Sequence, residues 1–375
     1  MTHTALHASP PLRRAAGVAL ITLLSATLAT PSSHAASDTS QRLRELLEER
    51  LNRDTADSPP PAEAPSVSSS SSSTLPTSTP PFTLDGDNAY FVKNAAYGAD
   101  ARHRFDIFLP KSAYNSKTRT PLAIFIHGGG FSSGAKEDAY SSSNQKLIKA
   151  LLAKGAAFAS INYPLISKSG ETVGLIKSLR GAQRALQYLK QDTRYNIDPQ
   201  RVVLLGSSAG ASIALWLAFH DDMANLSSAD PVEQQSTRVR GAAASQTQST
   251  LDVVGWERVF AEYNWSVEDM GSSAPNFYGV RSSADLYRSS TVAYRQEVDF
   301  LNMMDAADPE IWVATDGVPV RAPTITGILY HHPYHARTLR DQARAVGLKA
   351  GVIVPALKIA TTEESLTNFI LRKLN

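Results

Sequence analysis

Apolar runs alternate with amphipathic segments over residues 85–375, and this alternation predicts the secondary structure. Short apolar runs predict buried strands at 105–109, 121–126, 156–163, 202–205, 239–247, 311–314 and 351–355. Apolar residues spaced three and four apart predict helices at 144–153, 173–190, 335–346 and 363–374. The alternation favours an α/β fold with a mostly parallel central sheet and helices on both faces. Functional residues are expected in the loops beyond the carboxyl ends of the strands.

The first 36 residues have the pattern of a signal peptide. Arg13 and Arg14 form a positive segment, residues 15–30 are apolar, and residues 33–35 offer the small side chains that a signal peptidase reads. The apolar run is short for a membrane span, so membrane association is expected only if this segment is retained. The sequence therefore predicts a periplasmic or secreted protein.

Two further segments precede the folded domain. Residues 37–57 read as a short charged helix with a stripe of leucines, and residues 58–84 are dominated by Ser and Pro, with six consecutive serines at 68–73. The second composition is typical of a disordered linker. The folded domain is therefore expected over 85–375. An insertion at about 253–300, rich in Trp, Tyr and Phe, interrupts its alternation and is suited to a lid or a substrate wall.

The charge and the cysteine content limit the kinds of partner and cross-link that the chain is expected to have. Lys and Arg total 37 against 35 Asp and Glu, a net charge of +2, whereas a nucleic-acid partner would require a basic patch or stripe. The chain has no cysteine, so it cannot form a disulfide framework even though export would permit one. No metal site is implied, and the spacing of a dinucleotide-binding loop is missing. We expect no nucleic-acid partner, no metal and no cofactor.

The pentapeptide Gly206-Ser207-Ser208-Ala209-Gly210 is the strongest chemical signal in the chain. It follows the apolar run at 202–205 and precedes an apolar stretch at 211–219, which predicts a strand, a sharp turn and a helix. In that context a G-x-S-x-G motif presents its serine on a strained turn as a nucleophile. Without the context, it would read as a glycine-rich turn with a helix-capping serine.

A second motif, His127-Gly128-Gly129-Gly130-Phe131, follows the strand predicted at 121–126. Successive glycines let backbone N–H groups turn toward one point, where they can stabilise an oxyanion. A flexible turn would be the better interpretation of this motif alone. Its occurrence together with the serine turn favours the catalytic interpretation.

From about residue 89 onward, the chain resembles α/β-hydrolase fold esterases and lipases that carry an HGGG oxyanion motif. It is similar, more narrowly, to carboxylesterases grouped with hormone-sensitive lipase and to bacterial feruloyl-esterase-like domains. Four pieces carry the resemblance: HGGGF at 127–131, INYPL at 161–165, NIDPQRV at 196–202 and GSSAG at 206–210. The resemblance implies that Ser208 is the nucleophile and that the N–H groups of Gly129, Gly130 and Ala209 form the oxyanion hole. It also implies that His127 braces the glycine loop and is not the base.

The C-terminal half departs from the family pattern. In that family the catalytic histidine follows the last strand, but residues 356–362 contain no histidine and none occurs after His335. The usual acid is also missing from its place. By resemblance to sequences with a similarly altered tail, His331 is the first candidate for the base, and His332 and His335 are the alternatives.

The acid partner of that base is a choice between two aspartates. Asp252, after the strand predicted at 239–247, is the first candidate, and Asp316, after 311–314, is the second. Two other interpretations stay open. Residues 325–330 could be the last strand, although too few residues then separate it from the preceding strand for a parallel crossover. Alternatively the base is lost, which leaves the serine with little nucleophilicity.

These observations lead to one functional expectation and one alternative. We expect an exported serine hydrolase that cleaves carboxylic esters, either small molecules or esters borne on a polymer, through an acyl-enzyme on Ser208. The alternative is a catalytically impaired, hydrolase-like binding module at the cell envelope. The serine turn and the glycine loop favour the enzyme, whereas the missing terminal histidine favours the alternative.

Overall fold

The computed structural model describes residues 75–114 and 116–375. The predicted signal peptide (1–36) and charged helix (37–57) lie outside these residues, as does the predicted linker up to residue 74. Within the described ranges, no helix is both long enough and apolar enough to cross a membrane.

A single sheet of nine strands forms the centre of the domain. Its strands are β1 (Ala89–Ala96), β2 (Arg104–Pro110), β3 (Thr120–Ile126), β4 (Ala157–Ile161), β5 (Ile197–Ser207), β6 (Gly241–Ser245), β7 (Ile311–Ala314), β8 (Ala350–Val354) and β9 (Ile359–Ala360). Their order across the sheet is β1-β2-β4-β3-β5-β6-β7-β8-β9. The strands from β4 to β8 pair in parallel, and the pairs β1–β2, β2–β4 and β8–β9 are antiparallel. The predicted mostly parallel sheet is confirmed.

The first nine α-helices lie in connections between these strands, and the tenth follows β9. They are α1 (Ser142–Ala153), α2 (Ile176–Gln191), α3 (Ala209–Phe219), α4 (Trp256–Val259), α5 (Ser273–Phe277), α6 (Ser289–Glu297), α7 (Phe300–Met303), α8 (Thr326–His331), α9 (Pro333–Val346) and α10 (Leu366–Leu374). Helices α4 to α6 lie in the predicted insertion, joined by short 3₁₀ turns.

Two hydrophobic clusters cover the two faces of the sheet. Alternate residues of a strand point to opposite faces, so Ile124 and Ile126 of β3 belong to one cluster while Ala123 and Phe125 belong to the other. Helix α3 is buried along its whole length and has no charged residue. A helix that is apolar all round must lie inside the protein. Its first turn, which follows Ser208, is therefore held on every side.

The structure contains three features that the sequence pattern did not predict. Strand β1 pairs with β2, but a bulge between Val92 and Ala95, with Asn94 at φ 58°, breaks its alternation. Residues 326–331 form the short helix α8 rather than part of a loop or a last strand. Strand β9 has only two residues and is too short to leave a pattern.

The last residues of the predicted linker contact the domain. The ring of Phe82 packs against Phe108 and Tyr140, with centroids 5.4 and 6.2 Å away, and the Ser78 N–H donates to the Phe91 carbonyl at 2.7 Å. Phe82 thus packs on apolar surface of the domain although it belongs to a segment rich in Ser and Pro. The packed domain thus extends back to at least residue 78, ahead of the predicted boundary at 85.

Candidate active site

Ser208 lies on a sharp turn between β5 and α3. Its backbone has φ 54° and ψ −125°, a conformation that costs a non-glycine residue free energy and is frequent at active sites. The flanking glycines make the turn possible, because a Cβ on Gly206 would lie 2.5 Å from the Gly210 carbonyl carbon and a Cβ on Gly210 would meet the Ile126 carbonyl. The strand–turn–helix context predicted for this serine is confirmed.

The glycine loop packs directly on the serine turn. A Cβ on Gly128 would lie 2.9 Å from the Ser207 carbonyl oxygen, so only glycine allows this approach. Gly129 and Gly130 have φ values of +106° and +60° and line the same cavity as Ser208. Within residues 75–114 and 116–375, the N–H groups of Gly129, Gly130 and Ala209 have no hydrogen-bond acceptor. They are three donors available for an oxyanion at the serine.

His127 lies beneath the glycine loop and not beside Ser208. Its ring stacks on Tyr163 with centroids 4.3 Å apart, accepts from the Arg102 guanidinium at 3.2 Å through Nε2, and donates from Nδ1 to the Gly128 carbonyl at 2.7 Å. Burial lowers the pKa of His127 to about 4, which keeps the ring neutral in this arrangement. The structure places this residue as a brace of the loop.

His331 is the histidine that reaches the serine. Its Nε2 lies 2.8 Å from the Ser208 Oγ, within the range for transfer of a proton between them. The Gly327 carbonyl, one turn earlier on α8, also acts on the ring and favours its protonated form. To accept the serine proton, the neutral ring must have Nε2 unprotonated and the proton on Nδ1. Burial lowers the pKa of His331 below its ordinary value, and the Gly327 carbonyl partly opposes that shift.

The structure does not bring Asp252, the first candidate for the acid partner, into contact with His331. The Asp252 carboxylate accepts from the Arg295 guanidinium at 2.7 and 3.1 Å and caps the turn at Val254. The structure does not bring the second candidate, Asp316, to His331 either: its carboxylate accepts from the Gly317 N–H at 2.7 Å. No carboxylate in the described part of the chain hydrogen bonds to His331. The position of an aspartate along the chain did not reveal the arginine that neutralises it.

The other two histidines of the cluster hold the structure around His331. His332 Nδ1 accepts from the Tyr334 N–H at 3.1 Å, and its Nε2 donates to the Arg321 carbonyl at 3.0 Å. His335 is fully buried, and burial lowers its pKa to about 3. Its ring contacts Ser249 on one side and the Leu329 carbonyl on the other. Neither ring lines the cavity at Ser208.

Ser208 and His331 open into a cavity of about 1100 Å³. The insertion forms one wall of it through Val253, Trp256, Ser273, Asn276 and Phe277. Helices α1 and α10 also line the cavity, through side chains that include Leu147 and Leu366. Across the described residues, no group of three or more His, Asp or Glu side chains is arranged to hold a metal ion.

The insertion is attached firmly to the rest of the domain. The Leu175 N–H donates to the Phe277 carbonyl at 2.8 Å, and the Tyr294 hydroxyl donates to the Val173 carbonyl at 3.0 Å. The Trp216 indole of α3 donates to the Glu297 carbonyl at 2.9 Å. Of the two roles expected for this segment, these contacts favour a fixed substrate wall.

Comparisons with known proteins agree with this architecture. Kynurenine formamidase avaC of Aspergillus versicolor is 27% identical over 162 residues, 42% of this chain and 54% of the relative. A neuroligin-like protein, glit-1 of Caenorhabditis elegans, is 29% identical over 112 residues, 28% of this chain and 14% of the relative. The chain thus spans about half or less of the length of these curated relatives.

A solved structure with a similar fold is a truncated carbohydrate esterase from gut microbiota. It superposes with a TM-score of 0.57 at 17% identity and covers 78% of this chain and 98% of that chain. Residues 105–278, which contain the glycine loop and the serine turn but not His331, match the BD-FAE family model. The predicted α/β-hydrolase fold is confirmed, and the match to the BD-FAE family model shows what residues 105–278 are similar to.

Proposed function

We propose that the protein is a serine hydrolase that cleaves carboxylic esters through an acyl-enzyme on Ser208. The observation that carries the proposal is the distance of 2.8 Å between Ser208 Oγ and His331 Nε2, beside three free N–H donors on the glycine loop and α3. A nucleophile, a base within reach and an oxyanion site are the parts that acyl transfer requires.

The geometry supports a two-step reaction. Ser208 Oγ attacks the acyl carbon while its proton passes to His331 Nε2, and the carbonyl oxygen becomes an oxyanion held by the N–H groups of Gly129, Gly130 and Ala209. The C–O bond to the alcohol then breaks, and the proton on Nε2 passes to the leaving oxygen. Water repeats the sequence on the acyl-enzyme and releases the acid. The imidazolium formed in each step is stabilised by the Gly327 carbonyl and by the C-terminal end of α8.

The lining of the cavity and the names of similar proteins support an ester or a related acyl compound as the substrate. The cavity has apolar rings at Trp256 and Phe277 and polar groups at Ser273 and Asn276, which suits an ester with both kinds of surface. The names of similar proteins, a formamidase and a carbohydrate esterase, describe hydrolysis at an acyl carbon. Both small and polymer-borne esters are compatible with a cavity of about 1100 Å³.

Hydrolysis of short aryl esters by the purified full-length chain tests this function. We expect release of p-nitrophenol from p-nitrophenyl acetate and butyrate at neutral pH, with an initial burst when the acyl-enzyme accumulates. If the well-folded protein releases no p-nitrophenol above background from either ester, the binding-module alternative is favoured.

Export completes the proposal and rests on residues 1–36. The positive segment, the apolar run and the small residues at 33–35 together resemble a signal peptide. N-terminal sequencing of the protein recovered outside the cytoplasm should find a start at or near residue 36 or 37. Recovery only as the uncleaved chain would contradict export by this route.

The pH dependence should show a base with a lowered pKa. His331 must be neutral to accept the serine proton, so kcat/KM is lost as the pH falls through the pKa of His331. Burial without a carboxylate partner lowers that pKa below the ordinary 6.5. We therefore expect full activity at pH 7 and a midpoint of the acid limb below 6.5. A midpoint above 7, measured with an uncharged ester, would indicate a carboxylate paired with the base.

Replacing Asp252 by Asn should affect stability more than catalysis. The change breaks the ion pair with Arg295, whose side chains are both 12% exposed, and should cost about 1–3 kcal/mol of unfolding free energy. We expect kcat/KM to stay within about fivefold of the wild type, whereas loss of a triad acid costs about 10⁴-fold. Denaturant unfolding and ester kinetics on the same preparation separate the two outcomes.

A further inference from the structure

Helix α8 has only six residues and ends at His331. A helix this short is marginal by itself, and the carbonyls of its last turn have no partner within it. Side chains from other parts of the chain supply the donors. The His335 ring donates to the Leu329 carbonyl at 3.0 Å, and the Gln248 amide donates to the Tyr330 carbonyl at 2.7 Å. The two peptide groups that immediately precede His331 are thereby held from outside the helix.

Gln248 also reaches the helix of the nucleophile. Its Oε1 accepts from the Ser212 hydroxyl of α3 at 2.7 Å, and the Ser212 N–H in turn donates to the Ser208 carbonyl at 3.1 Å. One buried amide, 3% exposed, thus connects the turn that carries Ser208 to the residue before His331. A side chain in this place must accept at one end and donate at the other, which an amide can do and a carboxylate cannot.

We propose that Gln248 is a positioning residue that sets the separation of Ser208 and His331, in a site where no carboxylate of the described residues orients the base. The proposal rests on the function proposed above for these two residues. In a triad, the acid fixes the ring through Nδ1. Here the backbone group that acts on the ring is the Gly327 carbonyl of the same helix, so the position of the ring depends on the position of α8.

The place of Gln248 in the fold suits this role. It follows β6, which pairs with β5 and therefore ends beside the serine turn. The next residue, Ser249, makes a similar connection through His335. The Ser249 N–H donates to His335 Nδ1 at 3.2 Å, and the same ring donates to the Leu329 carbonyl. Residues 248 and 249 together connect the carboxyl end of β6 to two successive carbonyls of α8. A displacement of about 1 Å in such a contact can cost about 10²-fold in rate.

The experiment compares Gln248→Met with Gln187→Met in the full-length chain. Methionine keeps the length and removes both polar contacts. Gln187 is a matched control, because it is 2% exposed and donates to two backbone carbonyls of the 233–235 segment, away from the cavity. We expect Gln248→Met to lower kcat per titrated active site about 10- to 100-fold with KM within about threefold. Gln187→Met should lose stability but keep kcat within about twofold.

Ser212→Ala provides a second route if Gln248→Met folds poorly. It removes the other end of the same bridge, so its loss of kcat and that of Gln248→Met should not multiply in the double variant. A raised KM with unchanged kcat would overturn the proposal and make Gln248 a substrate contact. Equal losses of kcat in Gln248→Met and Gln187→Met would also overturn it.

A measurement that does not require turnover separates this proposal from the proposed function. NMR titration should show the pKa of His331 rising toward its ordinary value in Gln248→Met, because a loosened helix admits water to the ring. The pKa of His331 should be unchanged in Gln187→Met. If the wild type does not hydrolyse esters but this shift is seen, the proposed function is wrong and the positioning role of Gln248 is supported. If the wild type is active and Gln248→Met changes neither kcat nor the pKa of His331, only the positioning role of Gln248 is overturned.

Discussion

Ser208→Ala should abolish ester hydrolysis while leaving the fold intact. The variant removes the only atom that forms the covalent bond, and loss of a serine nucleophile lowers kcat by about 10⁴-fold or more. The turn should survive, because alanine and serine share the cost of the backbone conformation at φ 54°. Steady-state kinetics with p-nitrophenyl butyrate, together with thermal unfolding, measure the two effects.

The matched control for this variant is Ser178→Ala. Ser178 is fully buried, its hydroxyl donates to the Pro164 carbonyl at 2.6 Å, and it does not line the cavity. We expect its kcat/KM to stay within about twofold of the wild type despite some loss of stability. Residual activity of Ser208→Ala above about one per cent of the wild type would mean that another group attacks the ester.

His331→Ala should lower kcat by about 10³-fold or more, because general-base assistance contributes about 10²–10⁴-fold and an unassisted serine is a weak nucleophile. Added imidazole should restore part of the rate by occupying the space left by the ring. Rescue of this kind distinguishes a lost base from a damaged fold, since a structural defect gains nothing from imidazole.

His332→Asn serves as the control for the histidine cluster. Asparagine can still cap α9, the role that His332 Nδ1 has at the Tyr334 N–H. We expect its kcat to remain within about tenfold of the wild type, without rescue by imidazole. If His332→Asn is impaired as strongly as His331→Ala, or if His331→Ala keeps more than a tenth of the activity, the assignment of the base is wrong.

Among residues 75–114 and 116–375, no carboxylate contacts His331, and this has a chemical consequence. A carboxylate stabilises the imidazolium by full charge, whereas the Gly327 carbonyl supplies only a dipole, supplemented by the partial negative charge at the end of α8. The base is therefore weaker than in a triad and is neutral over a wider pH range. The rate should then depend more strongly on the fixed position of the His331 ring, which Gln248 and His335 maintain through their hydrogen bonds to α8.

The nucleophile turn and the glycine loop could be predicted from the sequence because their requirements are local. Gly206 and Gly210 are needed where backbones approach within van der Waals distance, and Gly128 where the two motifs meet. Such requirements select particular residues at fixed spacings along the chain. The strands before them were predicted for the same reason, since a buried parallel strand is a continuous apolar run.

The partners of His331 could not be predicted because they are not encoded locally. A backbone carbonyl such as that of Gly327 has no sequence signature, and Asp252 is excluded by Arg295, which lies 43 positions away. The helix α8 itself has six residues without a distinct apolar period, and its stability depends on donors from Gln248 and His335. Tertiary contacts decide these features, so they appear only in the folded structure.

Intact-mass measurement of fluorophosphonate labelling tests the central claim most directly, namely that His331 activates Ser208 without a carboxylate. At pH 7.5 we expect the wild type and Asp252→Asn to gain one adduct, located on Ser208, at similar rates. His331→Ala should label at least about 10²-fold more slowly, and Ser208→Ala not at all. Failure of the folded wild type to label, or equal labelling of wild type and His331→Ala, would contradict the claim.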